Sequence, residues 1–87
     1  MLKDVVEVRP LGGYRVFLKF EDGVQGEVDL EGLLRPFDGV FEPLRDPAFF
    51  RRVAVDSGHT IAWPNGADIA PETLYALVSG RPASFPG

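Results

Sequence analysis

Tyr14-Arg15-Val16-Phe17-Leu18-Lys19-Phe20, then Glu21-Asp22-Gly23, then Val24-Gln25-Gly26-Glu27-Val28-Asp29, carries the clearest period-two signal in the chain. Successive side chains of an extended strand point to opposite faces. Tyr14, Val16, Leu18 and Phe20 therefore share one face, and Arg15, Phe17 and Lys19 the other. Gly23 supplies the positive φ that a tight hairpin connection needs. Val24, Gly26 and Val28 line one face of the returning strand, against Gln25, Glu27 and Asp29. Strands joined by so short a turn pair antiparallel. Glu27 then lies near both Arg15 and Lys19, and the spacing leaves either ion pair open.

Upstream, Val6 and Val8 alternate with Glu7 and Arg9, a half-buried strand ending at Pro10, and Gly12-Gly13 turns the chain into the hairpin. Downstream, Asp29 is placed to cap a short helix through Leu33-Leu34 that stops before Pro36. Residues 35–46 read as a loop, though an apolar one, with Phe37, Val40, Phe41 and Leu44. Asp46-Pro47 starts a short helix reaching about Arg52, because Asp accepts from free N–H groups and Pro fits the first helical position. Residues 53–56 and 60–63 flank Ser57-Gly58-His59 as a second hairpin, and Pro64-Asn65-Gly66 is a turn. A last helix runs from Pro71 to Ser79, with Ile69 and Leu74 at staple positions and Leu74, Leu77 and Val78 as its buried stripe. Gly80 ends it. Ala70 offers no polar cap, so Asp68 is the expected substitute.

These elements make an α+β fold: a small single domain of two antiparallel hairpin units with short helices and a C-terminal helix packed on the sheet, over residues 1–80, with 81–87 as a flexible Pro- and Gly-rich tail. The chain has 87 residues, 45% of them hydrophobic and 25% charged. A chain of this size buries about 63% of its unfolded surface, enough for one core and too little for a deep closed cavity. No apolar run is long enough to span a membrane. The chain has no cysteine, which excludes disulfides, thiolate metal sites and a cysteine nucleophile. No signal peptide is evident at Met1-Leu2-Lys3-Asp4, and a cytoplasmic location is expected. The net charge of −4 disfavours direct nucleic-acid binding, which needs clustered positive charge.

One cluster has the residue types of a small polar site: Asp56, His59, Trp63, Asn65 and Asp68. A hairpin brings Asp56 near His59, the pairing that orients a catalytic imidazole, with Trp63 as a platform. The plainer reading makes Asp56 and His59 turn residues, Trp63 core, Asn65 a turn former and Asp68 a cap. No nucleophile motif accompanies His59. One histidine and scattered carboxylates make no metal site, and no cofactor is expected. The segment 32–53 is the one stretch with a positive balance, from Arg35, Arg45, Arg51 and Arg52. With Phe37 and Phe41 it offers a partner-binding patch formed by Phe37, Phe41, Arg45, Arg51 and Arg52. The expected activity is therefore non-enzymatic.

Tyr14 to Phe20, Asp22-Gly23, Val28-Asp29-Leu30, Leu44-Arg45-Asp46, Phe50 and the block Thr60-Ile61-Ala62-Trp63-Pro64-Asn65-Gly66-Ala67-Asp68-Ile69-Ala70-Pro71-Glu72-Thr73-Leu74-Tyr75 occur in that order. On these residues the chain resembles the uncharacterised bacterial family catalogued as domain of unknown function 2442, over about residues 3–78. The Trp63-Pro64-Asn65-Gly66-Ala67-Asp68 run is the most specific part. The resemblance implies a small α+β fold and no assigned activity. It also implies a two-component module of the toxin–antitoxin sort, with this chain as the neutralising member and a small protein as its partner. The acidic balance suits a basic partner by charge complementarity. A homodimer through edge strands is a further expectation.

Overall fold

Three strands follow one another along the chain and pair in the same order: β1 (Val5–Gly12), β2 (Arg15–Phe20) and β3 (Gln25–Asp29), all antiparallel. The computed structural model describes residues 4–57 and 59–80; the tail expected at 81–87 lies outside the described residues. Val16, Leu18 and Phe20 are completely buried, as the alternation requires. Their strand registers Val16 against Val28 and Phe17 against Glu27. Glu27 resolves its two options in favour of Arg15, whose Nη2 lies 2.6 Å from Glu27 Oε1. Both side chains are exposed, so the pair adds at most about 1 kcal/mol.

β1 departs from the expected alternation. Its register with β2 shifts between Val5 and Glu7. A bulge adds one residue and reverses the facing of what precedes it. Val5 is therefore the buried residue, while Val6, expected inside, is 52% exposed. The strand also continues through Pro10 to Gly12, since β1 is an edge that tolerates a residue without an N–H.

Asp29 Oδ1 accepts the Glu31 N–H at 2.9 Å and starts α1 (Glu31–Leu34). The expected loop at 35–46 is in part helical: Gly39–Arg45 winds as a 3-10 helix. Phe41 N donates to Asp38 O, and Asp46 N to Pro43 O. These short-range bonds satisfy the backbone while Leu44 is fully buried beneath it. α2 (Pro47–Phe50) begins as expected, with Asp46 Oδ1 accepting from Ala48 N at 3.0 Å.

The second sheet has three strands where a two-stranded hairpin was expected: β4 (Ala54–Val55), β5 (Ile61–Ala62) and β6 (Asp68–Ile69), again antiparallel in chain order. The Pro64-Asn65-Gly66 turn returns the chain so that Ala62 faces Asp68 and Ile61 faces Ile69. Thr60, the buried polar residue of this sheet, donates its hydroxyl to Ile69 O at 2.5 Å. The two sheets are joined where Val5 N donates to His59 O at 2.9 Å.

α3 (Pro71–Ser79) closes the core, and Gly80 ends it with φ of 78°. No side chain caps its start at Ala70, so Asp68 does not serve there; it is held in β6 instead. The stripe is also rotated. Leu74 is buried, but Leu77 is 43% exposed, and Tyr75 and Val78 pack against the core in its place. Val78 lies over Gly26 of β3, and the Tyr75 ring meets Phe20 edge-on at 5.0 Å. Those two contacts aim the helix through Leu74, Tyr75 and Val78, about 50° round from the expected face.

Candidate functional site

The apolar, arginine-bearing segment after α1 folds into a ledge with a shallow cleft of about 350 Å³, lined by Tyr14, Glu31, Arg35, Pro36, Phe37 and Arg45. Its shape begins in α1. Glu31 and Arg35 are one helical turn apart, and Arg35 Nη2 and Nε donate to Glu31 Oε2 at 2.6 and 3.2 Å. That hydrogen bond and the adjacent charge raise the Arg35 pKa further above its already high value. The helix stops at the cis Arg35–Pro36 peptide, and Phe37 follows with φ of 59°. The Phe37 ring lies against Tyr14, centroid to centroid 5.2 Å. Tyr14 in turn meets Phe50 edge-on at 4.9 Å.

Arg45 is fixed at both ends. Its main-chain carbonyl accepts the Tyr14 hydroxyl at 2.7 Å. Its Nη2 donates to Pro36 O at 3.1 Å, and its guanidinium carbon stands 5.9 Å from the Phe37 ring centroid. The cleft thus has aromatic walls and a cationic rim. Of the five residues expected to meet a partner, Arg45, Arg51 and Arg52 are exposed, and Arg52 lies over Phe49 at 5.8 Å. Phe41 is half-buried, and Phe37 is buried under the ledge it was expected to present. The ledge holds together as one surface. Tyr14, Glu31 and Arg35 belong to its cleft as well. The spacing of Glu31 and Arg35 pointed to the ion pair, but no local signal pointed to Tyr14, which the alternation assigns to the core.

The polar cluster after β4 is distributed rather than assembled. Asp56 Oδ1 accepts from Thr60 N at 3.4 Å, within its own turn. His59 is exposed, with φ of 67°, and its Nδ1 lies 3.7 Å from Asp4 Oδ2, a carboxylate just before β1. Trp63 is 4% exposed and donates its indole N–H to Phe50 O at 2.9 Å. Asn65 bridges outward: Nδ2 donates to Val40 O at 2.8 Å, and Oδ1 accepts from Ala67 N at 3.2 Å. Asp68 is exposed on β6. Trp63 and Asn65 therefore serve the ledge from beneath, and His59 sits at the junction of the sheets. Beside that junction the Glu21 carboxyl is raised above its ordinary value of 4.5 by a hydrogen bond to the Asp4 side chain and by the Asp4 charge.

Among the described residues, no group of His, Cys, Asp and Glu is arranged to hold a metal ion. None of the described helices is long and apolar enough to cross a membrane. The family model described as "Protein of unknown function (DUF2442)" matches residues 5–80. No curated protein and no solved structure matches the chain.

Proposed function

The chain belongs to the DUF2442 family of proteins of unknown function, and we propose that it acts without catalysis, as an interaction module that binds a small partner protein through the ledge at residues 37–52. The observation that carries this reading is the ledge itself: exposed arginines held over aromatic rings on a surface braced by Tyr14, Trp63 and Asn65. Arginine on an aromatic support is a recurrent anchor of protein interfaces, because its planar head binds carboxylates in a fixed orientation. Val40 adds an apolar neighbour, 49% exposed. The neutralising member of a two-protein, toxin–antitoxin-like pair is the specific form of this reading. A small-ligand or enzymatic site at Asp56, His59, Trp63, Asn65 and Asp68 has less support, since the Trp63 and Asn65 polar groups are engaged in holding the fold.

The test is purification of the tagged chain from its native host at endogenous level, with mass spectrometry of what co-elutes, repeated for Phe41→Asp and for Arg51→Glu with Arg52→Glu. A stoichiometric small protein that is lost in the variants, whose circular dichroism stays native, supports the module. A preparation without a partner, or a partner retained by every variant, overturns it.

A further inference from the structure

Two arginines line the cleft, Arg35 and Arg45, and only Arg35 is paired with a carboxylate. Arg9, Arg15 and Arg35 are each paired with a glutamate, at 2.9, 2.6 and 2.6 Å. Arg45 makes no ion pair among the described residues; among them its guanidinium donates to the neutral carbonyl of Pro36. A guanidinium carries five N–H donors, so most of those on Arg45 have no carboxylate acceptor. Among the described residues, Glu31 is the carboxylate lining the cleft, and it already binds Arg35. The cleft therefore keeps one uncompensated positive charge, held in place by Pro36 O and the Phe37 ring beside an aromatic wall.

From this we infer that the cleft is the socket for an acidic side chain of the partner protein, its carboxylate received by Arg45 and its methylenes lying against Tyr14 and Phe37. The inference rests on the interaction-module reading and names the chemistry by which the partner is held. The geometry favours a carboxylate on a peptide over a free anion. A carboxylate takes two parallel N–H donors from one guanidinium. The remaining space, about 350 Å³ with two aromatic walls, suits the apolar stem and flanking backbone that a bare anion lacks. An arginine already fixed by the fold loses little further freedom on binding, which favours its use as an anchor.

The experiment is an NMR titration of the full chain with a capped hexaglutamate peptide, following the Arg45 side-chain Nε–H and the Tyr14 and Phe37 ring signals. Capped hexaglutamine and inorganic phosphate are the parallel probes. The expected result is a saturable shift of those three residues with hexaglutamate alone. Arg45→Gln weakens that binding by about tenfold or more, the range for loss of a charge-assisted hydrogen bond. The Tyr14 bond survives the substitution, because it uses the Arg45 main chain. Lys19→Gln, at an exposed position of β2 outside the ledge, removes the same charge elsewhere and changes binding by less than about twofold, as a screened surface charge should. Equal weakening by Arg45→Gln and Lys19→Gln, shifts of equal size with phosphate, or no shift with hexaglutamate overturns the socket. The module reading is judged separately: a co-purified partner that Arg45→Gln retains and Phe41→Asp loses removes the socket and leaves the module standing.

Discussion

The indole N–H of Trp63 donates to the main-chain carbonyl of Phe50 across 2.9 Å inside the core, and so fastens the second sheet to the end of α2. Trp63→Phe keeps most of the ring volume and leaves that carbonyl without its partner. A buried acceptor left unsatisfied costs about 1–3 kcal/mol. The expected result is a lower urea midpoint, followed by circular dichroism because Trp63 is the only tryptophan.

Asn65 links its turn to the 3-10 segment through Val40 O. Asn65→Ala is expected to cost about 1 kcal/mol, the usual net value of such a bond. Amide hydrogen exchange in residues 39–45 should quicken with it. Lowered stability with unchanged exchange there would place the loss in the Asn65–Ala67 turn alone.

Gly26 sits beneath Val78, and an added Cβ would meet Val78 Cγ1 at 3.4 Å. Gly26→Ala should therefore be nearly neutral, its gain in chain stiffness offset by the close contact. Gly26→Phe cannot fit without displacing α3 and is expected to cost about 1–3 kcal/mol. Thermal unfolding of both variants checks the ordering.

His59 holds a left-handed backbone with φ of 67°. That conformation costs an L-residue roughly 1–2 kcal/mol, which glycine avoids at some expense in chain entropy. His59→Gly is expected to match or exceed the parent in urea stability, and His59→Val to fall below it. A loss in both would assign the His59 side chain a stabilising role beside Asp4.

Glu21 supplies the pH dependence. Its carboxyl is raised in the folded chain by the Asp4 hydrogen bond and charge, with His59 opposing. A carboxyl raised on folding stabilises the native state while protonated, fully so below 4.5, and that contribution is lost as pH rises through the folded value. Glu21→Gln removes the titration. Urea midpoints across the acid to neutral range should fall less for the variant above pH 4.5 than for the parent.

The first hairpin was legible because Val16, Leu18 and Phe20 sit at period two beside a turn whose chemistry is local. The helix starts at Asp46-Pro47 and Pro71, and the stop at Gly80, were legible for the same reason. What escaped depended on distant neighbours. Val6 looks buried until the bulge after Val5 reverses it, and no residue at that point announces a bulge. Leu77 fits a helical stripe, yet Gly26 and Phe20, fifty residues upstream, decide which face of α3 turns inward. β6 is only Asp68–Ile69, too short for alternation to register. The ledge was half legible: its arginines and phenylalanines stood out by composition, while the inward turn of Phe37 and the Tyr14–Arg45 bond arise only when segments far apart in the chain meet.

The placement of α3 on β3 bears on how the protein is made. The first meander is complete by Asp29, and the ribosome delivers it early. Its core face, however, waits for Leu74, Tyr75 and Val78. Until those residues emerge, Phe20 and Leu18 have no cover from the helix that seals them. The core of the first meander can close only once α3 has left the exit tunnel, so its sealing comes after the strands it covers have been made.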